Sequence, residues 1–130
     1  MNKGYIDCFK YQSHENELLN NYDGKKLFVN PPYSKMKYVT KWIIEQLRRK
    51  NCVFLLIPAR TDTAYFHELL KYNPTIYFIK GRLKFNDGMT PAPFSSIIMS
   101  FISPYLGYLW YQIPTYKSVS TEEFIERWIY

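Results

Sequence analysis

Apolar runs and polar segments alternate along this chain in lengths that predict strands and helices by turns. Lys26 to Asn30 reads as a strand: Leu27, Phe28 and Val29 are continuous, and the run stops at Pro31-Pro32. Two prolines can neither extend a ladder nor fill a helix interior. Met36 to Lys50 places Tyr38, Val39, Trp42, Ile43 and Leu47 at helical spacing, with Lys37, Lys41, Glu45 and Arg48 on the other side. That is the pattern of an amphipathic helix covering a sheet. Val53 to Ile57 is wholly apolar and closes at Pro58, as expected of a strand buried on both faces. Thr61 to Tyr72 predicts a second helix, capped by Thr61 or Asp62. Thr75 to Ile79 and Ser96 to Phe101 are further strands. Thr121 opens a last helix, with Glu122 and Glu123 set against its dipole. The first 25 residues are an irregular, short region: Lys3 to Phe9 suits a strand, and Ser13 to Asn20 a helical turn with a serine cap.

The order strand, helix, strand, helix, strand, loop, strand predicts an α/β fold, a mainly parallel sheet flanked by helices in one domain over residues 1–130. A hydrophobic content of 47% fits a globular chain rather than a disordered one. The 13 Tyr and 9 Phe are the signature of AT-rich coding as much as of function. The net charge of +6 suits a polyanionic partner. Two cysteines, Cys8 and Cys52, make neither a disulfide framework nor a zinc site, and Cys52, inside an apolar run, is expected to be a buried thiol. No signal-like segment or membrane-length run stands out, so the expectation is a cytoplasmic protein with no membrane partner.

Ligands in open α/β sheets gather at the carboxyl ends of strands. Asn30-Pro31-Pro32-Tyr33 and Pro58-Ala59-Arg60-Thr61-Asp62 both follow strands there. The first loop carries an amide, a carbonyl fixed by proline and an aromatic face, the groups that hold a flat, amino-bearing heterocycle. Methyl transfer to an exocyclic amine needs alignment more than acid or base. Two acceptors, the Asn30 side-chain carbonyl and the Pro31 backbone carbonyl, would draw the nitrogen towards tetrahedral geometry. Pro31 and Pro32 would fix both beforehand. Tyr33 could stack on a base, which must leave the duplex to be reached. A structural turn with a capping asparagine is the plain alternative. For Arg60 to Thr63, a helix start with a local ion pair is as good a reading as a substrate role. For Arg82 and Lys84 a solvated basic loop is the plain alternative. The aromatic stretch Tyr105 to Tyr116, with Trp110 and Tyr111, could be an interface or a stacking surface, burial being its commoner fate.

Several pieces stand together in a definite order. They are Ile6-Asp7-Cys8 with Asn16, Phe28 to Ser34, Trp42, Leu56 to Thr63, Phe78 to Phe85, and Ala92 to Ser96. From about Ile6 to Phe101 this set resembles the phage-type Dam-like DNA adenine methyltransferases. The resemblance implies a compact, shortened Rossmann-like methyltransferase fold, S-adenosylmethionine as methyl donor and adenine in DNA as acceptor. It implies that Asn30, Pro31, Pro32 and Tyr33 form the catalytic loop, with Tyr33 holding the base. It places Asp7 and Asn30 at the cofactor, and Arg60, Asp62, Arg82 and Lys84 at the nucleic acid. A bacterial cell, or a host cell for a phage-encoded chain, is the implied setting.

The family pattern begins further upstream, with a Trp and a Thr-Pro pair that this N-terminus lacks. The five glycines are scattered and give no glycine-rich turn of the kind a donor site usually uses. Two readings follow. One is a compact enzyme whose donor pocket is completed by Asp7 and the Asn-Pro-Pro-Tyr loop, with a homodimer or partner subunit completing the site. The other is a reduced module that keeps the base pocket and binds nucleic acid or a protein without turnover. Methylation of RNA or of a protein glutamine is a third, since the same tetrapeptide serves those amines.

Overall fold

The computed structural model describes residues 4–85, 90–102 and 115–129. Among the described residues six strands form one sheet: β1 (Tyr5–Cys8), β2 (Lys26–Val29), β3 (Cys52–Pro58), β4 (Thr75–Ile79), β7 (Ser96–Phe101) and β8 (Thr115–Val119). The spatial order is β1-β2-β3-β7-β4-β8. Between β4 and β7 a two-stranded ribbon, β5 (Lys84–Phe85) with β6 (Thr90–Pro91), stands apart from the sheet.

The sheet is mixed, and this corrects the expectation of a mainly parallel one. β1–β2, β2–β3 and β4–β8 are parallel, but β7 lies antiparallel between β3 and β4 and makes the longest ladder of all, Val53–Pro58 against Phe101–Ser96. A strand's own sequence specifies burial, not direction, so the reversal of β7 was not readable from Ser96 to Phe101. The consequence for function is simple. The carboxyl ends of β1, β2, β3, β4 and β8 meet the amino end of β7 along one edge, as the strand directions require.

The apolar runs are continuous because both faces of the sheet are covered. Leu27, Val29, Val53, Leu55 and Ile57 face a core shared with Val39, Trp42, Ile43 and Leu47 of helix α2 (Met36–Arg48) and Phe66 and Leu69 of α3 (Ala64–Leu70). Phe28, Phe54, Leu56, Tyr77 and Ile98 face the other way, onto Phe124 and Trp128. Those two belong to α4 (Thr121–Phe124) and the wide π turn that continues it, Ile125–Ile129. Ser120 caps α4 in a reciprocal box: its hydroxyl accepts from the Glu123 N–H, and the Glu123 carboxyl accepts from the Ser120 N–H.

Two local expectations need correction. Helix α3 starts at Ala64, not Thr61, and its cap position is Thr63, whose hydroxyl donates to the Arg60 carbonyl instead of capping the helix. Cys52 is half-buried, its thiol 2.8 Å from the Ile102 carbonyl, while the fully buried thiol is Cys8. The N-terminal region is irregular in sequence yet firmly held. Buried Gln46 and Asn51 bind the backbone around Tyr22 and Lys25 through side-chain amides, and α1 (His14–Glu17) starts on the predicted Ser13 cap. Of the aromatic stretch Tyr105 to Tyr116, residues 105–114 lie outside the described residues; Tyr116 sits in β8 and is 76% exposed.

Candidate active site

β1 and β2 end side by side, with Cys8 paired to Val29, so the residues that follow them, Phe9 and Asn30, emerge next to each other. After Val29 the chain cannot continue in the ladder. Pro31 is buried, Pro32 holds φ −66° and ψ 120°, and a 3-10 turn over Tyr33–Lys35 runs straight into α2. The stiff loop foreseen from the tetrapeptide is therefore anchored at both ends, by a buried strand and by a helix of three and more turns.

Two cavities flank this loop. One, of about 460 Å³, is lined by Phe9, His14, Asn30, Pro31, Pro32 and Tyr33. The other, of about 270 Å³, is lined by Asp7, Cys8, Phe9, Lys10, Phe28, Asn30 and Ile129. Phe9 and Asn30 border both. The arrangement thus brings Asp7 and Asn30 to one concavity, and the whole Asn-Pro-Pro-Tyr loop to its neighbour. Lys10 stands 3.8 Å from the Asp7 carboxylate, whose side chain is only 13% exposed.

Within the larger cavity Tyr33 is held from two sides. Its hydroxyl donates to Asn30 Oδ1 at 3.1 Å, and its ring meets Phe94 edge to face at 5.5 Å. Burial pushes the Tyr33 phenol up to about 12, with the neighbouring Tyr65 adding to the shift. The phenol is thus a donor, and Asn30 Oδ1 is already oriented as an acceptor. A carbonyl oxygen has two lone pairs, so Oδ1 can accept a second donor beside the Tyr33 hydroxyl.

Arg60, Asp62, Arg82 and Lys84 are exposed and line neither cavity. They do stand on the same edge of the sheet. The loop after β3 is tied to the start of β7 by the Ala59 N–H to the Ser95 carbonyl, 2.8 Å. Arg82 Nη1 donates to the Ala92 carbonyl at 3.3 Å, so part of its hydrogen bonding holds the ribbon that carries Lys84. His67 Nε2 lies 2.8 Å from the Thr61 carbonyl and steadies the Arg60–Asp62 loop from α3.

Sequence reasoning missed Phe9, His14, Phe94 and Ile129. Phe9 directly follows Ile6-Asp7-Cys8, and Phe94 lies inside the Ala92–Ser96 motif, so adjacency to a quoted motif was a usable signal for both. His14 and Ile129 carried none, since only the topology brings them to the edge. Among the described residues no group of three or more His, Cys, Asp or Glu is placed to hold a metal, and no helix is long and apolar enough to cross a membrane.

The model of a family described as DNA N-6-adenine-methyltransferase (Dam) matches residues 2–103 of this chain. A DNA N-6-adenine-methyltransferase of Escherichia phage T1 is 35% identical over 78 residues, covering 58% of this chain and 33% of that relative. The chain thus spans about a third of the length of the curated relative it matches. No solved structure matches it.

Proposed function

The chain belongs to the DNA N-6-adenine-methyltransferase (Dam) family, and from that premise we propose that it methylates the exocyclic amine of adenine in DNA, with S-adenosylmethionine as donor. The observation that carries this reading is Asn30, which borders both cavities at the end of β2. A group positioned there can touch a methyl acceptor on one side and a methyl donor on the other.

The larger cavity is the proposed acceptor side. At about 460 Å³ it lies within the usual range of small-ligand sites, ~300–1,000 Å³. An extruded adenine entering it would offer its amine to Asn30 Oδ1 and to the Pro31 carbonyl. The Tyr33 ring would pack on the base while its hydroxyl steadies Asn30. No general base is required, because the amine nitrogen is aligned rather than deprotonated before attack, and its proton passes to solvent afterwards.

The smaller cavity is the proposed donor side, and its residues fit the group by chemistry. Asp7 offers a carboxylate to an ammonium or to ribose hydroxyls, Lys10 a cation to a carboxylate, and Phe28 and Ile129 give apolar walls. S-adenosylmethionine, when bound, supplies an activated methyl group on a sulfonium. Asp7 and Asn30 would hold it, and Phe9, which lines both cavities, would border the opening across which the methyl group meets the amine. A Rossmann-like methyltransferase fold is the finer form of this proposal. It is supported by the β2-loop-α2 and β3-loop-α3 units at one edge. Arg60, Arg82 and Lys84 are proposed to meet the DNA backbone at that edge, with Asp62 shaping the loop.

A second reading, a methyltransferase-like module that binds nucleic acid or a partner protein without turnover, is favoured by the size of the donor cavity. About 270 Å³ falls just below the usual range. One assay separates the two: transfer of labelled methyl from S-adenosylmethionine to DNA. The enzyme reading expects transfer by the natural chain and a fall of ~10²–10³-fold in Asn30→Ala, the usual cost of removing a preorganised group of this kind. Equal incorporation by a folded Asn30→Ala would sink it, and DNA binding without incorporation would favour the module.

A further inference from the structure

The turn that leaves β1 has an unusual backbone. Phe9 has φ +70°, in the left-handed region that bulky residues avoid and glycine enters freely. Like Asn30, it borders both cavities. In sequence, the donor side lacks the glycine that such a turn normally employs; in the fold, a phenylalanine adopts the glycine's conformation.

Something must hold it there, and the candidate is Glu17. Its side chain is buried, at 2% exposure, and no cation pairs with it among the described residues. Three donors converge on its carboxyl group: the Phe9 N–H at 2.8 Å on Oε1, and Asn20 Nδ2 and the Tyr22 hydroxyl, each at 2.9 Å, on Oε2. The Tyr22 phenol is pushed well above its ordinary range, first by burial and then by this bond, so it stays a donor. The Phe9 ring in turn meets Trp42 edge to face at 5.3 Å, and Trp42 Nε1 donates to the Asn20 carbonyl at 2.9 Å. One oxygen of Glu17 therefore serves the turn itself, and the other fixes Glu17.

We propose that Glu17 is a positioning residue for the methyl-donor pocket: by accepting the Phe9 N–H it holds the β1 turn in the conformation a glycine would otherwise provide. This rests on the reading of the smaller cavity as the donor side. The role differs from plain stabilisation. Losing Glu17 should harm donor binding only while the residue at this turn needs help to adopt a positive φ.

The test is a mutant cycle read by calorimetry with S-adenosylmethionine, each variant's fold being checked by circular dichroism and thermal melting. Glu17→Ala is expected to weaken donor binding about tenfold or more, equal to ~1.4 kcal/mol. In a Phe9→Gly background the same change should alter affinity by less than about twofold, since glycine needs no clamp. Tyr22→Phe, which removes a bond to Oε2 and leaves the turn's bond in place, should lower the melting temperature but not the donor affinity. Where Glu17→Ala does not fold, Glu17→Gln keeps the volume and takes its place in the cycle, with a smaller loss of about threefold. Equal losses in the natural and Phe9→Gly backgrounds, or none in a folded variant, would overturn the assignment of Glu17 alone. Failure of the natural chain to bind the donor at millimolar concentration would overturn the donor-side reading and this inference with it.

Discussion

Asn30 and Tyr33 work as a pair, and their pairing makes a pH-dependent statement. The Tyr33 phenol titrates near 10 when unfolded and at about 12 in the folded chain. The folded form therefore keeps a proton that the unfolded form loses between those values. Its contribution to stability is full below pH 10 and falls as pH rises towards 12. Urea midpoints measured across that window should drop more steeply for the natural chain than for Tyr33→Phe. An identical slope would mean that the phenol is not held as described. Tyr33→Phe also leaves the aromatic face in place and frees Asn30 Oδ1, so methyl transfer should persist within about tenfold, whereas Tyr33→Ala should weaken the hold on the base by ~1–3 kcal/mol. A matching loss of transfer in both variants would show that the hydroxyl, not the ring, is the essential part.

The elements that frame the site differ in how openly the chain displays them. β2, β3, β4 and α2 are legible because their burial is written locally: continuous apolar runs for strands covered on both faces, and a 3.6-residue period for a helix covered on one. Pro31-Pro32 marks the end of β2 for the same local reason. The direction of β7 and the tertiary ties of the N-terminal region were not legible, although the Ser13 cap of α1 was. They depend on partners far away in sequence, such as Glu17 with Phe9 and Asn51 with Lys25. Of the candidate site, the Asn30–Tyr33 loop was singled out by its residues and Asp7 through the resemblance, while His14 and Ile129 were not, because nothing near them in sequence predicts which edge they reach. Ile129 is the informative case. It lies beyond the family-matched residues, yet it walls the smaller cavity from the turn that follows α4. That turn depends on the Ser120 cap, so Ser120→Ala should lower stability by about 1 kcal/mol in urea unfolding. It should also weaken donor binding, because Phe124 and Trp128 seat the turn against the sheet. A loss of stability with donor binding intact would mean that the turn covers the sheet and does nothing for the pocket.

At the scale of the whole molecule, charge and topology point to the same edge. The chain carries a net charge of +6, and Arg60, Arg82 and Lys84 are exposed in the segments that follow β3 and β4, at the edge where the cavities lie. Binding to duplex DNA should therefore weaken steeply with salt. Arg60→Ala should reduce the slope of log affinity against log salt by about 1 if that residue meets a phosphate. An unchanged slope would remove Arg60 from the interface. Five strands ending where β7 begins place both cavities, both proline-marked loops and these cations together, and that convergence is the core of the account. Its most direct test is the chemical identity of the product. DNA incubated with the natural chain and S-adenosylmethionine should be digested to nucleosides and analysed by mass spectrometry. The account predicts N6-methyldeoxyadenosine as the modified nucleoside, lowered ~10²–10³-fold when Asn30→Ala replaces the natural chain; a methylated deoxycytidine, or unmodified DNA with the donor demonstrably bound, would contradict it.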